Sequence, residues 1–471
     1  MFASLCHLLV LISFALPGQP QSPNRFPETS PAVARYAEAA SKISQRGLRE
    51  LGAYSLLAEL TDKIGARLSG SPQAAAAVEW GRKTMLAQGF TNVHTEPVMV
   101  PHWVRGETEQ ASLLASALEG NTDQKLAVCA LGGSIGTPRA GITAEVVEVQ
   151  SLEEARGLGE RGKGKIVFFN RRFDPTLINT FAAYGGAVDQ RHSGASAAAS
   201  SGAVAVLVRS MTMANDDEPH TGAMEYEANV PKIPAAALSA KAADTLAKSL
   251  KNGDLVHVHL KLDCKTLPDV ESANVVGELV GTEKPNEVIV IGGHLDSWDK
   301  GVGAHDDGAG CVQTLEALNL LKRAGLHPKR TVRVVLFMNE ENGGAGGRAY
   351  ASKKRPDGER HIAAIESDSG GFAPRGFGVT AKPEVFARFG AWMPVLEPFG
   401  ADKLMVGGGG SDVGPLSAQG AVTIGLEPES QRYFDYHHSN NDTLDKVNAR
   451  ELELGAIAIA LLSYMIAEDG I

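Results

Sequence analysis

From residue 274 to the carboxyl end, the chain alternates short apolar, β-branched runs with amphipathic helical patterns, and dense polar clusters follow the apolar runs. Strands are predicted at 274–280, 287–292, 331–338, 362–366 and 421–426, and helices at 307–324, 345–352, 383–396 and 446–468. Near-continuous apolar strands interleaved with helices are buried on both faces, which gives an α/β fold with a mixed, mostly parallel sheet covered by helices. Ligands of such sheets lie beyond the carboxyl ends of the strands. The residues that follow each strand are therefore where function is sought.

Upstream, helical spacing runs over 23–53 and 74–88, a strand is predicted at 91–100, and 108–120 reads as a short strand and loop. Between about 125 and 265 the texture changes, with apolar runs at 142–149, 165–170, 203–209, 233–238 and 255–260 separated by Gly, Pro and Asp. Ala-rich helical stretches lie between them. The segment reads as a small module of its own. It holds no dense set of histidines and acids, so it is expected to shape or cap a site rather than perform chemistry.

Charge and cysteine content exclude several classes. With 45 Lys+Arg against 55 Asp+Glu and a net charge of -10, the chain lacks the basic stripe of a nucleic-acid backbone binder. Only 4 cysteines are present, so no disulfide framework holds the fold. Residues 5–16 form a nearly unbroken apolar run ended by Pro17 and Gly18. That length suits the hydrophobic region of a signal peptide and is short for a membrane span. Residues 1–18 are accordingly predicted to be a signal peptide, leaving a mature chain with no span, exported to a periplasmic, extracellular or lysosome-like compartment. Removing Cys6 leaves Cys129, Cys264 and Cys311, enough for at most one bridge.

Four clusters carry the chemistry. His294 and Asp296 follow the strand at 287–292, and a carboxylate two residues on can orient a metal-bound imidazole through its other ring nitrogen. His305-Asp306-Asp307 precedes a helix amid glycines, where Asp307 suits a capping role. Glu340 and Glu341 follow the strand at 331–338; pointing apart, one can bind metal while the other accepts a proton. Asp368 follows the strand at 362–366, and His437-His438 with Asp442 lies further on. Two histidines with several carboxylates and no thiolate suffice for a pair of zinc ions sharing one carboxylate, or for another divalent metal. No Gly-x-Ser-x-Gly elbow accompanies a triad, and Cys311 sits inside an apolar helix, so a serine or cysteine hydrolase is disfavoured.

In order along the chain, His294-Leu295-Asp296-Ser297, Asp306-Asp307-Gly-Ala-Gly, Glu340-Glu341, Asp368 and His438-Ser-Asn-Asn-Asp442-Thr443 resemble the motifs of the M28 family of cocatalytic zinc peptidases. Flanking segments such as Gly65-Ala66-Arg67-Leu68-Ser69 extend the likeness over almost the whole chain. The resemblance implies a zinc exopeptidase fold with two zinc ions per chain. Asp306 would bridge them, His294 and Asp368 would complete one metal's ligands, and Glu341 and His438 the other's. Glu340 would be the general base, with Asp296 and Asp442 as supporting residues around the ligands. It also implies a protease-associated-like domain at 121–265, inserted between catalytic segments at 19–120 (with a short pro-segment at its start) and 266–471. The implied substrate is a dipeptide or short peptide with free ends, and the implied assembly a homodimer. A broader aminopeptidase on the same centre, or an inactive binding ectodomain on this scaffold, stays open as an alternative.

Overall fold

The computed structural model describes residues 30–114, 122–252 and 255–471. The predicted signal peptide at 1–18, and residues 19–29 of the pro-segment, lie outside the described residues.

Two eight-stranded sheets organise the chain. The first runs, in spatial order, Thr91–Val104, Lys265–Leu279, Arg330–Phe337, Lys284–His294, Arg360–Glu366, Val422–Pro428, Pro374–Thr380 and Lys403–Val406. Its four central strands, Arg330–Phe337 through Val422–Pro428, are parallel, and antiparallel strands flank them. Side chains alternate between its faces. Ile289, Ile291, Val332, Val334 and Leu336 pack under the helices Ala309–Arg323 and Ala449–Asp469. Val288, Val290, Val335 and Phe337 pack on the other face with Tyr350, Val413 and Leu416. In the register, His294 lies beside Phe337 and Gly292 beside Glu366. Three of the four polar clusters therefore leave the sheet along the same edge.

Strand Val104 pairs with Lys265, so the chain leaves and re-enters the first sheet at neighbouring positions. Most of what lies between forms the second sheet, ordered Gln124–Leu126, Glu109–Leu113, His257–Leu262, Ile142–Val149, Ile166–Phe169, Ala205–Arg209, Ala235–Leu238 and Val128–Ala130. Glu109–Leu113 pairs with His257–Leu262, so this sheet begins earlier in the chain than the expected boundary at 121.

Several elements differ from the sequence expectation for identifiable reasons. The helical stretch at 23–53 is broken at Leu51, whose left-handed backbone (φ 50°) separates Pro31–Glu50 from Gly52–Lys63. The helix expected from 307 starts at Ala309, because Asp306 and Asp307 have non-helical backbone angles (φ -118°, ψ 93° and φ -124°, ψ 44°). Cys129, Cys264 and Cys311 are free and buried. No described helix is long and apolar enough to cross a membrane.

Candidate metal centre

His294, the last residue of its strand, turns its Nε2 toward two carboxylates, 3.2 Å from Asp306 Oδ1 and 3.3 Å from Asp368 Oδ1. Across Asp306, the Nε2 of His438 lies 3.1 Å from Asp306 Oδ2 and 3.1 Å from Glu341 Oε2. Asp306 thus presents one oxygen to each of two groups of donors. Donor atoms bound tetrahedrally at zinc distances lie about 3.3 Å from one another. The five residues expected as ligands are brought together with that spacing. His437 also approaches, its Nε2 3.6 Å from Asp306 Oδ2 and its ring stacked on His438 at 3.5 Å between centroids. His438 is the member of the tandem that reaches Glu341 as well.

One of the two supporting carboxylates makes a contact other than the one expected. The Nδ1 of His294 bonds the main-chain carbonyl of Asp296 at 2.9 Å, while the Asp296 carboxylate is 3.9 Å from that nitrogen. That carboxylate instead accepts the backbone N–H groups of Asn339 (2.6 Å) and Glu340 (3.1 Å) and the Ser69 hydroxyl (3.0 Å). It fixes the turn that carries the glutamate pair. Asp442 likewise bonds not His438 but the backbone N–H groups of His305 (2.7 Å) and Asp306 (3.1 Å). The Nδ1 of His438 instead faces the carbonyl of Thr221 at 3.3 Å. The difference at Asp296 has a simple cause: a neighbour in sequence reveals proximity, but not whether the side chain or the peptide group makes the contact. Asp307 does cap, accepting Gly310 N–H (2.8 Å) and His294 N–H (3.0 Å). Gly293 makes room for it, since a Cβ there would lie 2.4 Å from Asp307 Oδ2.

Three contributors went unseen in the sequence reading. Arg67, fully buried, donates to the carbonyls of Leu295 (2.6 Å), Val302 (2.7 Å) and Gly303 (2.9 Å). It clamps the loop joining His294 to Asp306. Tyr184 and Arg191, from the second sheet's connecting helices, line a cavity of about 260 Å³ together with Asp306, Glu340, Glu341 and His438. Only their position in three dimensions marks them. A neighbouring cavity of about 640 Å³ shares Asp368 and is lined by Gly409, Gly410 and Ser411. Tyr436 stacks on His305.

The electrostatics are those of a centre that draws positive charge. Burial, with Asp306 adding repulsion, pushes Glu341 up to about 8. Burial and the Asp368 charge hold Glu340 above the usual carboxylate range. Burial alone would lower His438, but Glu341 and Asp306 push it up to about 10. The buried Oδ2 of Asp306 makes no hydrogen bond. Packing several carboxylates out of water without positive charge costs roughly several kcal/mol per ion. The oxygen and imidazole donors, with no thiolate, fit zinc or a similar divalent cation.

Comparison with known proteins agrees with this geometry. Residues 274–463 match the model of peptidase family M28. The chain is 37% identical to carboxypeptidase Q of Bos taurus over 99% of its own length and 97% of the bovine protein. It is 37% identical to the human carboxypeptidase Q over 92% of this chain and 89% of that one. The crystal structure of a peptidase M28 precursor from Shewanella amazonensis superposes with a TM-score of 0.87 at 35% identity, covering 93% of this chain and 98% of the other. A zinc aminopeptidase from Bacillus subtilis shares the fold at a TM-score of 0.63 and 19% identity, over 89% of this chain and 96% of that one. The chain is a metal-dependent exopeptidase of peptidase family M28.

Proposed function

We propose that the centre binds two zinc ions bridged by Asp306, one completed by His294 and Asp368 and the other by His438 and Glu341, and that Glu340 is the general base in hydrolysis of dipeptides or short peptides. The observation that carries this reading is Asp306 itself, whose two oxygens lie 3.2 Å from His294 and 3.1 Å from His438. The two cations would supply Lewis acidity, activating water and polarising the scissile carbonyl.

The chain's own residues do the rest. Glu340 lines the 260 Å³ cavity beside the donors and is not needed as a ligand. It takes the proton from the attacking water and returns it to the departing amine. Asp296 holds the backbone of Glu340, and Asp442 that of Asp306, so base and bridge are fixed relative to each other. The module around the second sheet, protease-associated-like in this reading, walls the cavity with Phe181 and Tyr184 and limits entry of water. Export by the apolar run at 5–16, and assembly as a homodimer, complete the reading.

The test is stepwise zinc addition to the chelated protein, assayed on free, N-blocked and C-blocked dipeptides. Activity that returns fully only after two equivalents, on the free dipeptide, supports the reading. Cleavage of N-blocked substrates alone would refute the dipeptidase assignment.

A further inference from the structure

A buried guanidinium ordinarily pairs with a carboxylate, because an unpaired buried charge is costly. Arg105, Arg330 and Arg333 do so here. Arg67 has no carboxylate partner, yet its Nε, Nη1 and Nη2 all donate to carbonyls. Arg191 follows neither pattern. It is 7% exposed, its Nε donates to Ala223 O at 3.2 Å, and its Nη1 lies 3.4 Å from both Thr221 O and His438 Nδ1. Among the described residues its Nη2 makes no hydrogen bond and no carboxylate pairs with it, while the guanidinium carbon lies 5.5 Å from the centre of the Tyr184 ring. The backbone is shaped to admit the group: a Cβ on Gly222 (φ 134°) would lie 2.3 Å from Nη1.

The cavity that Arg191 lines is rich in carboxylates, set among aromatic rings and the imidazoles of His437 and His438. Asp306, Glu340, Glu341 and Asp368 line it, and Arg191 is the one lysine or arginine among its described walls. Its guanidinium is held one imidazole ring away from the donor cluster, on the Nδ1 side of His438. In a dipeptide the terminal carboxylate lies one residue, about 4 Å, beyond the scissile carbonyl. A fixed planar cation in the wall of the cavity that holds the donors suits a carboxylate, which accepts hydrogen bonds from two guanidinium nitrogens.

We infer that Arg191 binds the free carboxylate of the residue immediately after the scissile bond, making the inserted module the ruler that restricts this enzyme to removing a single carboxy-terminal residue. The inference rests on the peptidase reading above and assigns that site its polarity. Longer extensions and amidated ends leave the guanidinium without its anion beside the metal-binding carboxylates.

The experiment compares an unblocked dipeptide with its carboxy-terminal amide, using zinc-loaded wild type, Arg191→Lys and Arg191→Gln, with zinc content and melting temperature measured in parallel. Wild type should prefer the free acid by about 30-fold or more in kcat/KM, the size expected when one partner of a desolvated charge pair is removed. In Arg191→Gln that preference should collapse through a raised KM for the acid, the amide being unaffected, and Arg191→Lys should fall between. Absence of discrimination in wild type overturns the inference without any variant, as does an equal kcat loss on both substrates. Failure of zinc-loaded wild type to cleave either substrate defeats the peptidase reading and this inference with it.

Discussion

The two sheets are built from the same material and end differently. Both have eight strands with parallel central members and apolar cores. At one strand end of the second sheet, polar groups satisfy one another: Arg209 donates to Asn170 at 2.6 Å and to Asp244 at 2.6 Å. At the strand ends of the first, His294, Glu341, Glu366 and Asp368 crowd together, with Asp306 Oδ2 and both carboxylate oxygens of Asp412 buried and unbonded. Balanced polar groups lock a structure, whereas an excess of one sign stores a demand for a ligand. The difference explains why chemistry belongs to one sheet although both share an architecture.

Changes among the donors at the strand ends of the first sheet should alter function, and those at the Arg209 cluster of the second sheet should alter stability alone. Glu340→Gln carries the largest effect, lowering kcat by about 10³- to 10⁴-fold with zinc content intact, as elemental analysis beside steady-state kinetics would check. Chelation should lower unfolding free energy by about 3 kcal/mol or more relative to protein in excess zinc, measured by denaturant titration. Asp442→Asn weakens the support of the Asp306 backbone, so zinc affinity should drop about 10- to 100-fold in competition titrations. Arg209→Met in the second sheet should cost about 1–3 kcal/mol in the same denaturant assay while kcat stays unchanged. A kcat loss there at full zinc occupancy would erase the contrast.

The smallest effect concerns pH at the far edge of the first sheet. Burial alone would raise Glu96, but His94, Arg355 and Lys353 hold it at about 2. Its folded value lies below the unfolded one, so its stabilisation is present above the ordinary carboxylate range and is lost as pH falls through about 2. Glu96→Gln should flatten the acid limb of the stability profile, and an unchanged limb would show that these contacts contribute nothing.

Much of the site was legible because strand-end residues are close in sequence to the strands that place them. His294, Glu340, Glu341 and Asp368 each follow an apolar run that could be read directly. Pro374–Thr380 and Lys403–Val406 were missed, since glycines hide the first and a short edge position hides the second; pairing with Val422–Pro428 defines the first, and pairing with the first defines the second. Arg67 and Arg191 were also missed as working parts. Their partners, Leu295, Val302 and Thr221 among them, offer main-chain carbonyls, and a backbone acceptor leaves no trace in residue identity. The same blindness misassigned the contact of Asp296.

The most direct measurement is zinc per chain in wild type and in Asp306→Asn, by elemental analysis after dialysis against dilute free zinc. A bridging carboxylate predicts two zinc ions in wild type and loss of both, or nearly so, in the variant. One or no zinc in wild type, or two retained without Asp306, would contradict the shared centre.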